Sequence, residues 1–313
     1  MKPIVRVAAA VIIGADGQFL LAQRPPGKPY AGYWEFPGGK LEAGETAKAA
    51  LVRELKEELG VIVTRAAPWL VQEFVYPHAH VELNFFRVFE WRGVPIGHDG
   101  QAFAWQRSDA IDVAPLLPAN TRIMAALQLP QTYGVTHADE LGEDAFLARA
   151  ERAFARGLRL IQLREKTWSV ARRDAFAARL LPLASRFGVR VLLNGAVDDA
   201  RKGGYAGVHW TSAALAAASS RPHDLVVGAS CHSREELAKA MNLDVDFAVI
   251  GPVKPTPTHA SMRPLDWDGF AACADRTGVP VYAIGGLTMN DLPTAIEHGA
   301  HGIALRRFAW PDR

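Results

Sequence analysis

The sequence predicts two domains, an α+β unit at residues 1–129 and a small (β/α)8 TIM barrel at residues 132–313. Three observations carry that prediction. At 313 residues the chain is longer than one hydrophobic core usually serves. Up to Leu129 the pattern mixes strands with few helices, whereas from Thr132 strand and helix signals alternate, as parallel β/α units require. That alternation holds eight strand signals, enough to close a barrel, though one shorter than the usual length of about 250 residues.

In the first domain, strands are expected over residues 5–13, 19–24, 69–75 and 81–90, and a helix over residues 47–59. The opening MKPIVRVAAAVIIGADG has the apolar look of a signal-peptide head. Arg6 interrupts that run, however, and Asp16-Gly17 reads as a hairpin turn, so it is taken as a first strand. The linker is Leu127-Gln128-Leu129-Pro130-Gln131, where Pro130 discourages a continuing helix. The barrel strands are expected over residues 133–136, 160–164, 189–194, 207–210, 225–230, 247–251, 279–284 and 302–305, with helices such as 145–156 and 234–241 between them.

Composition excludes several classes. Apolar residues make up 49% and charged residues 22%, ordinary for a folded soluble protein, and a net charge of +2 gives no reason to expect direct nucleic-acid binding. No apolar run approaches the roughly 20 residues that span a bilayer, so no membrane partner is expected. Cys231 and Cys273 are the only cysteines, too few for a disulfide framework or a four-cysteine zinc site, and a reducing, cytoplasmic setting fits best.

The most informative stretch is FPGGKLEAGETAKAALVRELKEELGV, from Phe36 to Val61. On a helix, Glu54, Glu57 and Glu58 stand three or four residues apart and are expected on one face, where they repel one another unless a cation joins them. Carboxylate oxygens are hard ligands suited to Mg²⁺, and Mn²⁺ also fits, either bridging to substrate phosphates. Pro37-Gly38-Gly39 lets the backbone come close to a ligand, Gly44 permits the loop, Gly60 ends the helix, and Arg53 can grip a glutamate bidentately. The competing reading is a solvated amphipathic helix that buries Ala50, Leu51, Leu55 and Leu59.

The segment resembles the Nudix box at every fixed position, from Gly39 through Glu45 to Arg53-Glu54-Leu55-Lys56-Glu57-Glu58-Leu59-Gly60-Val61. The resemblance implies an α/β/α sandwich that hydrolyses nucleoside diphosphate linkages with a divalent metal. It places Glu54, Glu57, Glu58 and the Gly38 carbonyl on the metal, with Arg53 and Glu45 supporting the helix and loop. Beyond the box, "LLAQRPPGKPYAGYWEFPGGK", "GHDGQAFAW" and "LLPANTRIMAAL" are similar to the MutT branch, which removes oxidised guanine nucleotides. That likeness implies Arg24 and Phe36 at the base and sugar, Asn120 on the purine edge, Asp99 as a further acidic metal ligand or base, and His78 where the branch has an acidic residue. Read on their own, Phe36 also suits a core, Asn120 a helix cap and Asp99-Gly100 a plain turn.

In the second domain "GLRLIQLREKTWS", "VLLNGAVDDA", "YAGVHWTS", "VGASCHSREELAKA", "FAVIGPVKPTPTHA" and "VYAIGGLTMNDLPTAIEHGAHGIAL" follow the order of the thiamine phosphate synthase and TenI-like barrels, which they resemble. The resemblance implies a pyrophosphate site at Gln162, Arg164 and Lys166, Asn194 at the end of strand three, and a phosphate site at Thr256, Thr258 and Gly285-Gly286. Departures accompany it. Asn194 precedes Gly195 where the synthases have Asp, and Ser212-Ala213-Ala214 stand where they carry another Asp. Pro252 replaces the TenI histidine, and Arg306-Arg307 replace small phosphate-binding residues. His209, His232 and His259 remain acid–base candidates.

The expected activity is conversion of 8-oxo-dGTP to 8-oxo-dGMP and pyrophosphate, a nucleotide-pool cleansing that avoids mutation during DNA replication and repair. The barrel is expected to bind a phosphorylated thiazole or pyrimidine, to catalyse a changed reaction or to serve only as a scaffold, and thiamine phosphate synthesis is not expected. Two alternatives stay open: a thiamine-pathway enzyme whose Nudix domain clears thiamine diphosphate analogues, and a barrel that only binds.

Overall fold

The computed structural model describes residues 3–97, 101–256 and 262–312. Asp99, Thr258 and His259 lie outside the described residues. The chain divides into two compact units, Met1–Gln128 with Arg276–Gly278, and Leu129–Asp275 with Val279–Arg313.

The first unit contains strands β1 (Ile4–Ile12), β2 (Phe19–Gln23), β3 (Trp34–Glu35), β4 (Gly38–Lys40), β5 (Ile62–Val75), β6 (His80–Arg92) and β7 (Phe103–Gln106), with helices α1 (Ala47–Leu59) and α2 (Thr121–Leu127). A four-stranded sheet runs β4-β1-β6-β5 and a three-stranded sheet runs β3-β2-β7. Strands β1 and β6 are parallel, with Ala8 opposite Asn84, and the other pairs are antiparallel.

The alternation in β1 explains the layering. Ala8, Ala10 and Ile12 pack with Ala50, Leu51, Leu55 and Leu59 of α1, whereas Ala9 and Val11 pack with Phe36, Phe85 and Ile123 on the other face. A sheet covered by a helix on each face is an α/β/α sandwich. Small alanines in β1 let α1 approach closely, which brings the acidic helix next to β4.

Helix α1 begins where the Thr46 side chain accepts from the Ala49 amide at 3.2 Å, and ends at Gly60, whose φ of 67° is left-handed. Strand β5 is longer than the expected 69–75. Its register shifts around Arg65 and Pro68 break the alternation by which a strand is recognised, yet β6 still pairs along its length. Strands β3, β4 and β7 were not expected, because two to four residues are too few to show a period.

The second unit is a closed parallel barrel of β8 (Thr132–Val135), β9 (Leu160–Leu163), β10 (Arg190–Leu193), β11 (Gly207–Trp210), β12 (Val226–Cys231), β13 (Phe247–Ile250), β14 (Val281–Ile284) and β15 (Gly302–Leu305). Strand neighbours follow chain order and β15 closes on β8. Leu160, Leu192, Phe247 and Tyr282 fill the interior, while Ile161, Leu163, Val191 and Leu193 face the helical shell. Both faces of each strand are therefore covered, so β9 is buried at all four positions. No helix among the described residues is long and apolar enough to cross a membrane.

Candidate active sites

In the first unit a cavity of about 530 Å³ is lined by Gly38, Gly39, Glu54 and Glu58 on one side and by Arg24, Glu35, Phe36, Tyr76, His78 and Asn120 on the other. The acidic wall depends on the glycines. A Cβ on Gly39 would lie 2.0 Å from the Glu54 carboxyl carbon, and one on Gly38 would lie 2.0 Å from the Ala8 carbonyl oxygen. A side chain at Gly39 would displace the Glu54 carboxylate of α1, and one at Gly38 would push β4 away from β1.

Arg53 organises the outer half of this wall. Its Nε and Nη2 donate to the two Glu45 oxygens at 3.1 and 2.9 Å, and its Nη1 donates to Glu54 at 2.9 Å and Glu57 at 3.2 Å. The Lys40 carbonyl accepts from Nη2 at 3.0 Å, tying the helix to β4. The hydrogen bonds from Arg53 hold the Glu45 carboxyl below the usual carboxylate range. Glu58 stands differently. Burial pushes its carboxyl up to about 7, against the pull of the Lys28 ammonium and of the Gly38 amide, which donates at 3.4 Å.

The opposite wall is aromatic and polar. Phe36 is buried between Phe19 and Phe85, with centroids 5.7 Å from each. Tyr30, Tyr76 and His78 form a ring cluster with centroid distances of 5.3–5.8 Å. Arg24 donates from Nη1 to Glu35 Oε2 at 2.5 Å and from Nε to the Pro29 carbonyl at 2.8 Å. Asn120 occupies the N-cap position of α2 but makes no cap hydrogen bond; its amide donates to the Trp34 carbonyl at 3.3 Å instead.

In the second unit a cavity of about 330 Å³ opens at the C-terminal ends of the barrel strands. Its floor is a hydrogen-bonded chain. Gln162 Nε2 donates to the Tyr133 hydroxyl at 3.3 Å, that hydroxyl meets His209 Nδ1 at 3.1 Å, and His209 Nε2 meets Ser230 Oγ at 2.9 Å. Burial, with the Arg164 charge adding to it, lowers the His209 pKa to about 3, so the imidazole is neutral. Room for it comes from Gly228, where a Cβ would sit 2.8 Å from Nδ1.

Arg164, Thr256, Gly286, His232 and Arg306 line the upper part of this cavity, and none of its described lining residues is Asp or Glu. Desolvation, with Arg306 nearby, lowers the Arg164 pKa. Arg306 Nη1 pairs with Glu140 at 2.7 Å, while its buried Nε has no hydrogen-bond partner. His232 Nδ1 lies 3.1 Å from the Gly251 carbonyl, which can only accept, so in the neutral ring Nδ1 carries the proton.

With both sites described, comparison with known proteins is informative. Residues 8–126 match the family model described as a NUDIX domain, and residues 132–308 match that described as thiamine monophosphate synthase. An "8-oxo-dGTP diphosphatase" of Haemophilus influenzae is 40% identical over 126 residues, 40% of this chain and 93% of the relative. The chain belongs to both families.

Two further relatives show how each half is populated. The "CTP pyrophosphohydrolase" of Escherichia coli is 40% identical over 132 residues, 40% of this chain and 92% of the relative. A "Thiamine-phosphate synthase" of Thermus thermophilus is 36% identical over 166 residues, 52% of this chain and 81% of the relative. The first unit is thus a Nudix hydrolase, and Nudix hydrolases generally require a divalent metal.

The Nudix residues present fit such a metal by their donor chemistry. Glu58 is a half-buried carboxylate whose ionisation desolvation opposes, a penalty a nearby cation relieves, and Glu54 and the Gly38 backbone line the same cavity. Among the described residues no three His, Cys, Asp or Glu side chains converge as a metal-holding group. Glu57 shares Arg53 Nη1 with Glu54, at 3.2 and 2.9 Å, but does not reach the cavity. It is exposed, lines the outer surface with Arg53 rather than the cavity, and is held there by its ion pair with Arg53.

Of the barrel residues named from sequence, Gln162, Arg164, Thr256 and Gly286 meet at the cavity, whereas Lys166 and Asn194 do not line it. The Asn194 amide donates to the His209 carbonyl at 3.1 Å, where it braces β10 against β11. Sequence reading missed Glu35, Lys28 and Tyr76 in the Nudix cavity and Tyr133 and Ser230 in the barrel. Glu35 carried no signal, since a carboxylate between Trp34 and Phe36 is what an ordinary alternating strand with one exposed face shows.

Proposed function

We propose that the Nudix unit converts 8-oxo-dGTP to 8-oxo-dGMP and pyrophosphate with Mg²⁺, or with Mn²⁺ in its place. The observation that carries this reading is one cavity holding Glu54, Glu58 and Gly38 on one wall and Arg24, Phe36, His78 and Asn120 on the other. A divalent metal there neutralises phosphate charge and lowers the pKa of bound water. Glu54, Glu57 and Glu58 would hold that metal together with the Gly38 carbonyl. Arg53 and Glu45 keep the loop and helix in place.

The base is chosen on the opposite wall. With one N–H of Asn120 on the Trp34 carbonyl, its oxygen and second N–H are left for the ligand. An 8-oxopurine presents an N7–H donor beside the O6 acceptor, matching that amide, whereas unoxidised guanine presents two acceptors. Phe36 forms the floor. The 40% identity to both an 8-oxo-dGTP diphosphatase and a CTP pyrophosphohydrolase does not choose the base, so the Asn120 amide is what favours the purine.

The test is pyrophosphate release with Mg²⁺ or Mn²⁺ from 8-oxo-dGTP, dGTP, CTP and thiamine diphosphate. A preference for 8-oxo-dGTP that Glu54→Gln abolishes is the expected result. A preference for CTP would overturn the base assignment, and one for thiamine diphosphate would place both units in thiamine metabolism.

For the barrel, we propose a phosphorylated thiazole or pyrimidine as ligand, without thiamine phosphate synthesis. Arg164 is a half-buried cation facing a cavity with no carboxylate among its described lining residues. An anion is favoured there, whereas the metal of a diphosphate would find no carboxylate ligand. Calorimetric binding of a thiazole phosphate that is lost in Arg164→Ala is expected. Turnover of thiazole phosphate with an aminopyrimidine diphosphate would refute the second clause.

A further inference from the structure

Glu35 is a carboxylate in the nucleotide cavity that the metal chemistry does not use. Its Oε2 accepts from Arg24 Nη1 at 2.5 Å. Its Oε1 has no hydrogen-bond partner among the described residues, yet the side chain lines the cavity and is 25% exposed. Arg24 is itself fixed by the Pro29 carbonyl at 2.8 Å, so it holds Glu35 in a single orientation instead of following it. Glu35 therefore presents one oriented acceptor beside the wall on which Phe36 and Asn120 stand.

We infer that Glu35 is a specificity-determining residue whose Oε1 accepts a hydrogen bond from a donor on the nucleoside, either the exocyclic amine of the base or the 3′-hydroxyl of the sugar. This rests on the nucleotide-hydrolase reading above. A carboxylate only accepts, so this position rewards nucleosides that present a donor and leaves the Oε1 acceptor unsatisfied against those that do not, although the charge stays paired with Arg24.

The Arg24 contact makes the substitution Glu35→Gln informative. Arg24 can only donate, so it captures the amide oxygen of the new side chain and turns the NH₂ toward the substrate. An acceptor then becomes a donor facing a donor.

The experiment compares kcat/KM of wild type, Glu35→Gln and Glu35→Asp on dGTP, dITP and 2′,3′-dideoxy-GTP. Relative to dGTP, the second lacks the base amine and the third the sugar hydroxyl. Loss of a hydrogen bond to a charged group predicts a fall of about 10- to 100-fold for Glu35→Gln on dGTP. Glu35→Asp, which keeps the charge but withdraws it by one methylene, should lose less. If Glu35 reads the base, the penalty shrinks on dITP; if it reads the sugar, the penalty shrinks on the dideoxynucleotide.

An equal penalty on all three substrates, or none on any, would overturn the inference while leaving the hydrolase reading intact. Absence of hydrolysis by wild type on every nucleotide would instead remove the reading on which it rests. Glu35→Asp guards against a fold defect, since a misfolded variant loses all substrates alike and Glu35→Asp retains the Arg24 ion pair.

Discussion

Arg53 decides where the carboxylates of α1 stand. One guanidinium holds both Glu45 oxygens and also reaches Glu54, Glu57 and the Lys40 carbonyl. A lysine offers a point charge in place of this planar fork, so Arg53→Lys keeps the charge but cannot make the same set of contacts. We expect kcat to fall about 10- to 100-fold, with a far-ultraviolet spectrum like that of wild type, in line with the loss of charge-assisted hydrogen bonds. Unchanged kcat would show that charge alone suffices. A second residue-scale prediction concerns pH. The fold keeps His209 at about 3 and His137 at about 4, both chiefly by desolvation, whereas in the unfolded chain each protonates near 6.5. Below 6.5 the unfolded state binds more protons, so stability is full above that pH and declines as pH falls toward 4 and then 3. Each site contributes a slope of at most about 1.4 kcal/mol per pH unit. Urea titrations between pH 7 and pH 4 should show the decline of the two histidines partly offset by Glu58, whose raised pKa of about 7 favours the fold as pH falls toward 4.5, and flattened further in His209→Gln; a curve unaltered by the substitution would mean that His209 is not held neutral. Little of this was legible in sequence. The box glutamates stand in a contiguous pattern, but His209 becomes interior, and Glu35 becomes a cavity group, only when distant strands are brought together.

At the scale of elements, α1 was readable from end to end because its signals are local. Thr46, the apolar positions Ala50, Leu51, Leu55 and Leu59, and Gly60 each act within a few residues. Its cap can be tested directly. Thr46→Ala removes the acceptor for the Ala49 amide and should lower stability by about 1 kcal/mol in chemical denaturation. No loss would mean that water replaces the hydroxyl at this exposed end. The barrel strands were readable for a different reason, their apolar runs recurring between helices. What they pack against was not readable. Gly228 gives no sign in sequence that it faces Phe247 and His209, yet a Cβ there would lie 2.5 Å from the Phe247 ring and 2.8 Å from the imidazole. Gly228→Ala should therefore destabilise the barrel by about 1–3 kcal/mol through overpacking. Wild-type stability in thermal melts would show that β12 and β13 can move apart. Strands β3 and β4 escaped notice because pairing partners, not their own two or three residues, make them strands.

At the scale of the molecule, the two units carry cavities of opposite chemistry. The Nudix cavity is lined by the carboxylates of Glu35, Glu54 and Glu58, and the barrel cavity by the guanidinium of Arg164 with no carboxylate among its described lining residues. Any ligand that binds only the folded state stabilises it by about 2.7 kcal/mol when present at a hundred times its dissociation constant. On the proposed reading, Mg²⁺ acts through Glu54 and Glu58 and inorganic phosphate through Arg164. These residues belong to different compact units. Increments at independent sites add within about 0.5 kcal/mol. Denaturation of the full chain with neither ligand, each alone and both together should therefore give additive increments. Glu54→Gln should remove the Mg²⁺ increment and keep the phosphate one, with Arg164→Ala doing the reverse. A joint increment well beyond the sum would mean that the two ligands share a site or that one unit responds to the other's ligand. A phosphate increment that persists in Arg164→Ala would place the anion elsewhere in the chain and leave the barrel cavity to a neutral ligand.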